Sequence, residues 1–276
     1  MLRNLLIPAL AVILFSSCYS ARITYAPVPQ NVPVLEEKGD TKLAAYYSTC
    51  FGGSKGLTYS KSNGLDLQSA VAISSKFAIM ANYSIKTERT NSMIDITENS
   101  DSNLLAYKRN WTELGFGYFK HTGKNKSGLF QVYMGAGFGR NRFTDKRVES
   151  GVLYRQFFDA RNMSFFIQPS IAHISKNGWA ASFSVKALLM NFQDISTDYN
   201  TAELIKFELN ELGNRSYLTI EPAITASYAL KNTPALRFES QLGFCFRGNN
   251  KYPGLEKRNV NFSIGAMLNF ARLSKK

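Results

Sequence analysis

The chain has 276 residues, a formal charge of +13 at pH 7 and a hydrophobic share of 45%. Its three cysteines, Cys18, Cys50 and Cys245, are too few for a disulfide scaffold, and beyond the N-terminus no run is long and apolar enough for a helical membrane span. The length fits one large β domain or two ordinary ones.

Met1 to Ser17 reads as a secretory signal peptide: Arg3 is the positive n-region, Leu5 to Phe15 the apolar core, and Ser16 and Ser17 the small residues before cleavage. The run Leu14-Phe15-Ser16-Ser17-Cys18 resembles a bacterial lipobox, in which the cysteine becomes the first residue and is acylated. That resemblance implies lipid attachment at Cys18. Residues 18–41 contain Pro27, Pro29 and Pro33, which rule out a helix, and the expectation is an extended periplasmic tether. No acidic cluster follows Cys18, so the lipid is expected in the periplasm-facing leaflet.

From residue 42 to the C-terminus at 276 the signal is period two. In the last run Val260, Phe262, Ile264, Ala266, Leu268 and Phe270 share one face, and Asn261, Ser263, Gly265, Met267 and Asn269 the other. About ten such runs lie near 42–51, 64–74, 76–88, 105–120, 128–143, 160–174, 179–192, 215–230, 235–247 and 259–270. Their connections alternate. Those near 75, 124, 176 and 232 are short, whereas 52–63, 89–104, 144–159, 193–214 and 248–258 are long. Short turns on one side and long loops on the other are the pattern of a membrane barrel. An even strand count then puts both chain ends on the short-turn side.

On these runs the segment from Lys42 to Phe270 resembles the small bacterial outer-membrane β-barrel class, and Cys18 makes it a lipoprotein version. The resemblance implies an all-β, single antiparallel up-and-down transmembrane barrel of about ten strands, in the outer membrane of a Gram-negative envelope, and no activity. Two aromatic girdles are expected: Tyr83, Tyr107, Trp111, Phe143 and Tyr217 at the loop end, and Phe77, Tyr118, Trp179, Tyr228 and Phe270 at the turn end.

Following the alternation inward gives a charged lumen: Asp66, Lys86, Glu113, Lys186, Glu221, Arg237 and Glu239. Opposite charges on facing walls would pair and fill a narrow bore, since unpaired buried charge is costly. The alternative is a polar path. Gly115, Gly117, Gly135, Gly137 and Gly139 also face inward and make room for large neighbours or for a ligand. Cys50 and Cys245 point inward with the tenth strand between them at the closure, two strand spacings apart and beyond easy disulfide reach.

The loop after the eighth run carries Asn200, Glu203 and Gly213, a helix start and stop around Leu204, Ile205, Leu209 and Leu212. This short amphipathic helix caps the mouth or binds a partner. Asp194, Asp198 and Glu203 match no calcium loop. His121 and His173 fall at turn-side ends, where they read as structural, and no GxSxG, metal cluster or phosphate loop is present, so neither an enzyme nor a cofactor is expected. The turns and tail carry Lys76, Lys120, Lys124, Lys126, Lys176, Lys231, Arg272, Lys275 and Lys276 without an acid, a rim suited to outer-membrane lipids or to an acidic envelope protein and not to nucleic acid. Three functions follow in order of preference: a non-enzymatic scaffold or accessory subunit of an envelope complex, a small porin-like pore or transporter for a small or lipophilic ligand, and an outer-membrane lipase or protease.

Overall fold

The computed structural model describes residues 22–53, 60–94, 101–123, 125, 127–149, 151–248 and 256–270. Cys18 and the signal region lie outside the described residues, as do Lys124, Lys126 and the tail from Ala271.

Ten antiparallel strands close into a barrel: β2 (Thr41–Phe51), β3 (Ser62–Ala72), β4 (Phe77–Ile94), β5 (Asp101–Thr122), β6 (Gly128–Glu149), β7 (Val152–Ile174), β8 (Trp179–Thr197), β9 (Ser216–Leu230), β10 (Thr233–Phe244) and β13 (Val260–Leu268). Each pairs with its sequence neighbour, and β13 lies between β10 and β2, Val260 opposite Phe51 and Leu268 opposite Leu43, which shuts the ring. Closure leaves no free edge, as a sheet surrounded by hydrocarbon requires. A short β11 (Phe246–Arg247) continues the β10 edge against β9.

The predicted alternation has its partition, with apolar side chains outward. Leu65, Ile79, Leu114, Phe165, Ile224 and Ile264 stay exposed, Leu65 at 65%. An outward surface this apolar far exceeds what a water-facing protein carries, and it marks a wall that meets lipid. On β6 it runs from Phe130 to Phe138, roughly 27 Å of strand, the scale of a bilayer belt.

Strand ends differ from the expectation at the loop side. Residues 89–94, 101–104, 144–149 and 152–159 continue the ladders, so two of the expected long loops are mostly paired strand. The β-branched and aromatic residues there, such as Val148, Val152 and Phe157, keep a strand competitive beyond the belt. The short turns form as read. In one, the Ser74 hydroxyl accepts from the Lys76 and Phe77 amides; in another, Gly178 sits at φ +87°, a conformation that suits glycine.

The turn-end girdle has the expected outward placement. Phe77 packs edge-on against Tyr118 at 5.8 Å, and Trp179 meets Tyr228 at 4.9 Å. The loop-end set does not: Tyr107, Trp111, Phe143 and Tyr217 point inward and are buried, and only Tyr83 faces outward. The parity of the strands dictated this, since Tyr107 and Trp111 share a face with Glu113, and Phe143 shares one with Gly139 and Asn141.

The largest departure concerns residues 22–35. They are extended, as their prolines require, but every one is buried inside the barrel. They are therefore no free tether. Arg22 lies at the loop end beside Asp145, and the Leu35 carbonyl accepts from His121 at the turn end. The chain crosses the whole bore before β2 begins. The even strand count does put β2 and β13 ends on the turn side; the backward passage through the lumen carries the chain ahead of them to the opposite end.

Candidate functional site in the barrel lumen

An extended proline-containing segment cannot satisfy its own backbone, so each buried carbonyl needs a donor from elsewhere. Here the wall supplies amide and guanidinium side chains. Arg109 donates to the Ile23 carbonyl at 2.7 Å, Asn141 to Thr24 at 3.1 Å and Asn261 to Pro27 at 3.1 Å. Farther down, Gln68 donates to Pro29 at 2.9 Å, Gln241 to Gln30 at 3.0 Å and Gln168 to Asn31 at 2.8 Å. Pro27, Pro29 and Pro33 bring no N–H that would need an acceptor. Regular pairing is confined to the loop end, where β1 (Ile23–Tyr25) runs parallel to β12 (Glu256–Lys257). The remainder of the segment rests on side chains.

Segment side chains reach back to the wall. The Tyr25 hydroxyl donates to Glu221 at 2.8 Å, and Asn31 donates to the Ser69 carbonyl and to Asn82, both at 2.9 Å. Cys50 Sγ is 3.2 Å from the Pro27 carbonyl and 3.1 Å from Asn261. Cys245 contacts Glu221 at 3.7 Å, and neither cysteine is in a disulfide.

All seven predicted lumen charges are inward and buried, and they fall into separate groups. Lys86 lies 3.6 Å from Asp66, with the Ser48 hydroxyl bonded to both. Lys186 pairs with Glu113, which also accepts from Asn82 at 2.8 Å and Trp111 at 3.0 Å. Glu239 takes Lys42 at 3.1 Å and the Tyr46 hydroxyl. Glu221 is met by Tyr25 and by Thr219 at 2.9 Å, and Arg237 donates to the Gly178 carbonyl at 3.0 Å. Residues absent from the sequence reading complete the set: Glu88 with Arg109 at 2.9 Å and with Arg258, and Asp145 with Arg22 and Arg147. The strand alternation already placed Glu88 and Arg109 inward; Asp145 and Arg147 fell in the expected 144–159 loop, and the loop residue Arg258 and the segment residue Arg22 had no such signal.

One sector of the wall is polar without a protein partner. Gln131, Ser170 and Ser184 sit opposite one another on β6, β7 and β8, and the Tyr133 hydroxyl is one inward step away. Both amide atoms of Gln131, and the hydroxyls of Tyr133, Ser170 and Ser184, meet no hydrogen-bond partner among the described residues. Buried polar groups of this kind call for water or solute. The inward glycines beside them make space for side chains: a Cβ on Gly117 would fall 2.3 Å from the Tyr133 ring, and one on Gly135 2.0 Å from the Leu114 carbonyl oxygen.

The loop end is capped by the chain itself. The predicted helix is short, α1 (Thr201–Lys206), with Asn200 and Glu203 forming a reciprocal capping box, followed by a 3-10 turn at Leu212–Asn214. Leu209 and Leu212 are buried in the barrel mouth, Leu204 packs against that cluster and Ile205 is exposed. The apolar stripe is thus largely spent on the cap. Phe207 meets Tyr199 edge-on at 5.3 Å and lies 3.7 Å beneath the Arg22 guanidinium. Arg147 and Gln156 hold Glu203. Partial burial pushes the Glu203 carboxyl upward, but bonds from the Asn200 amide, Gln156 and Arg147 hold it below the usual range. Asp194 pairs with Arg161 at 3.1 Å and Asp198 accepts from the Phe157 amide at 2.6 Å, so the three acids of this loop serve separate protein partners.

No family model and no curated protein matches the chain. Among solved structures it is similar to the COG4313 outer membrane channel from Pseudomonas putida F1, with 13% identity and a TM-score of 0.43 over 87% of this chain and 100% of that one. It is also similar to the outer membrane protein OprG from Pseudomonas aeruginosa, at 11% identity and TM-score 0.35 over 85% and 97% of the two chains. For a TodX monoaromatic hydrocarbon channel mutant the values are 10% and 0.31, over 84% and 90%. At such scores no activity passes from these proteins to this chain.

Proposed function

We propose that the protein is an outer-membrane channel for a small polar or amphipathic solute, closed by its own residues 22–35. The observation that carries this reading is the make-up of the lumen. An extended segment, fixed mainly by side-chain hydrogen bonds, occupies a polar bore that contains the unpartnered groups of Gln131, Tyr133, Ser170 and Ser184. Such bonds exchange for bonds to water at small net cost, whereas an apolar wall stripped of its plug would resist wetting. The accessory-subunit reading rested on a bore filled by its own wall and on a free tether. A separate segment fills the bore here, which removes both supports.

The anchor belongs to the same proposal. A lipid on Cys18 would sit only four residues before Arg22, at most about 14 Å of chain. With Arg22 at the loop end, that reach supports insertion in the leaflet on the loop side, not the periplasm-facing one expected from sequence. Long loops face outward in bacterial barrels, so the anchor would be at the cell surface.

The test exploits Cys50 beside Pro27. In a Cys245→Ser background, Pro27→Cys sets a second thiol against the native one. Planar-bilayer conductance should be absent when the pair is oxidised and appear on reduction, and a chain lacking residues 22–35 should conduct in both conditions. Silence of the reduced form and of the deletion would overturn the channel reading in favour of an accessory subunit.

A further inference from the structure

Beyond the lumen, the outer wall changes character along one line. On β6 the outward residues pass from Phe138 to Arg140 and Arg142, on β7 from Met163 to Arg161, and on β5 from Thr112 to Asn110 and Lys108. The register sets like charges directly opposite: Lys108 faces Arg142, and Arg140 faces Arg161. Such cross-strand pairs repel, and a counter-anion relieves them. Asp159 supplies part of it, bound by Arg140 and Arg142 at 2.7 and 2.8 Å. Lys108 and Arg89 meet no acid among the described residues, and with Lys61 and Arg142 they line an open concavity of about 820 Å³. Glu88, also on its lining, is committed to Arg109 and Arg258.

We infer that this concavity binds the phosphate of a phosphorylated glycolipid in the loop-side leaflet. Its position selects the occupant. The cations continue the lipid-facing wall on the same outward side chains, two or three steps past the apolar belt, where headgroups lie. Arginine offers a phosphate two parallel N–H donors, and lysine a compact charge. The inference uses the outer surface alone and is independent of whether the bore conducts.

Native mass spectrometry of the full folded barrel in micelles tests it, with bisphosphorylated lipid A, phosphatidylglycerol and inorganic phosphate as probes. The barrel should retain lipid A, and Lys108→Gln with Arg142→Gln should weaken retention about tenfold or more. Asp159→Asn, which removes the competing acid, should strengthen it, and this second variant decides the matter where the double variant gives no fast-migrating band on an unboiled gel. Three results would overturn the site: equal retention of phosphatidylglycerol, displacement by inorganic phosphate at matched concentration, or an equal loss on Lys76→Gln with Lys120→Gln at the turn end. Unchanged binding in Asp159→Asn would do the same.

Discussion

Arg22 and Asp145 form an ion pair of 2.6 Å with both side chains wholly buried, and it ties the first described residue of the luminal segment to the loop end of β6. Asp145 also receives the Tyr199 hydroxyl at 2.6 Å and Arg147 at 3.2 Å, so the lumen and the cap share one carboxylate. Removing one partner of a buried pair strands the other charge, at a cost on the order of 3–5 kcal/mol. Asp145→Ala should therefore loosen both elements while the barrel stays closed. Single-channel records should show larger and noisier currents than the parent chain. Identical records would mean that this pair does not hold the segment.

The direction of the segment makes a topological prediction. A short peptide tag placed just ahead of Arg22 should react with antibody on intact cells, as should one in the cap near Asn210. A tag in the turn at Lys231 should react only after the outer membrane is opened. Protection of the Arg22 tag together with exposure of the Lys231 tag would reverse the orientation.

The inward glycines differ in what surrounds them. A Cβ at Gly135 meets the Leu114 carbonyl oxygen, which is fixed in the ladder, whereas at Gly117 it meets the Tyr133 ring, a side chain whose hydroxyl is tied to no partner among the described residues. Gly135→Ala should cost about 1–3 kcal/mol and Gly117→Ala less. Urea midpoints of the refolded barrel in detergent give the comparison, and equal midpoints would contradict it.

Lys186 and Glu113 are both fully enclosed. Lys186→Met should destabilise by about 3–5 kcal/mol, and the pair Lys186→Met with Glu113→Gln by distinctly less, because no charge is then left unpaired. A double variant as unstable as the single would show that the two residues act separately.

The cap should respond to acid. Glu203 has a lowered folded pKa, so its contribution is present above the ordinary glutamate pKa and is lost as pH falls through the lowered value. Hydrogen exchange at Leu204 and Phe207, measured relative to an unstructured peptide at the same pH, should stay slow at pH 6 and quicken below about pH 4. Asn200→Ala, which removes the other half of the capping box, should quicken it at neutral pH by an amount equivalent to about 1 kcal/mol.

Much of the barrel was readable because period two is a strong signal: all ten runs became strands, most within a few residues. The inward charges followed from the same parity. Two kinds of residue escaped it. Tyr107, Trp111 and Phe143 were read by chemical type, as interface aromatics, when their parity already turned them inward. Residues 22–35 have no periodicity, and their three prolines describe a conformation without a location. A trace of the location was nevertheless present in Gln68, Asn82, Gln131, Asn141, Gln168, Gln241 and Asn261. With Asn162 and Asn269, which are also inward and buried, such amides are more than a wall needs for pairing its own charges, and six of them bond directly to the segment.

Because residues 22–35 occupy the bore and β2 follows them, the molecule is a ring closed around its own leader. The seam between β13 and β2 joins the final strand of the ring to its first. It zips either around a leader already in place or first, with the free end drawn through afterwards. A finished ten-stranded ring passes an extended chain and stops a folded module. Topology thus leaves two routes: closure around residues 22–35 already in place, or passage of that stretch through a finished ring in extended form.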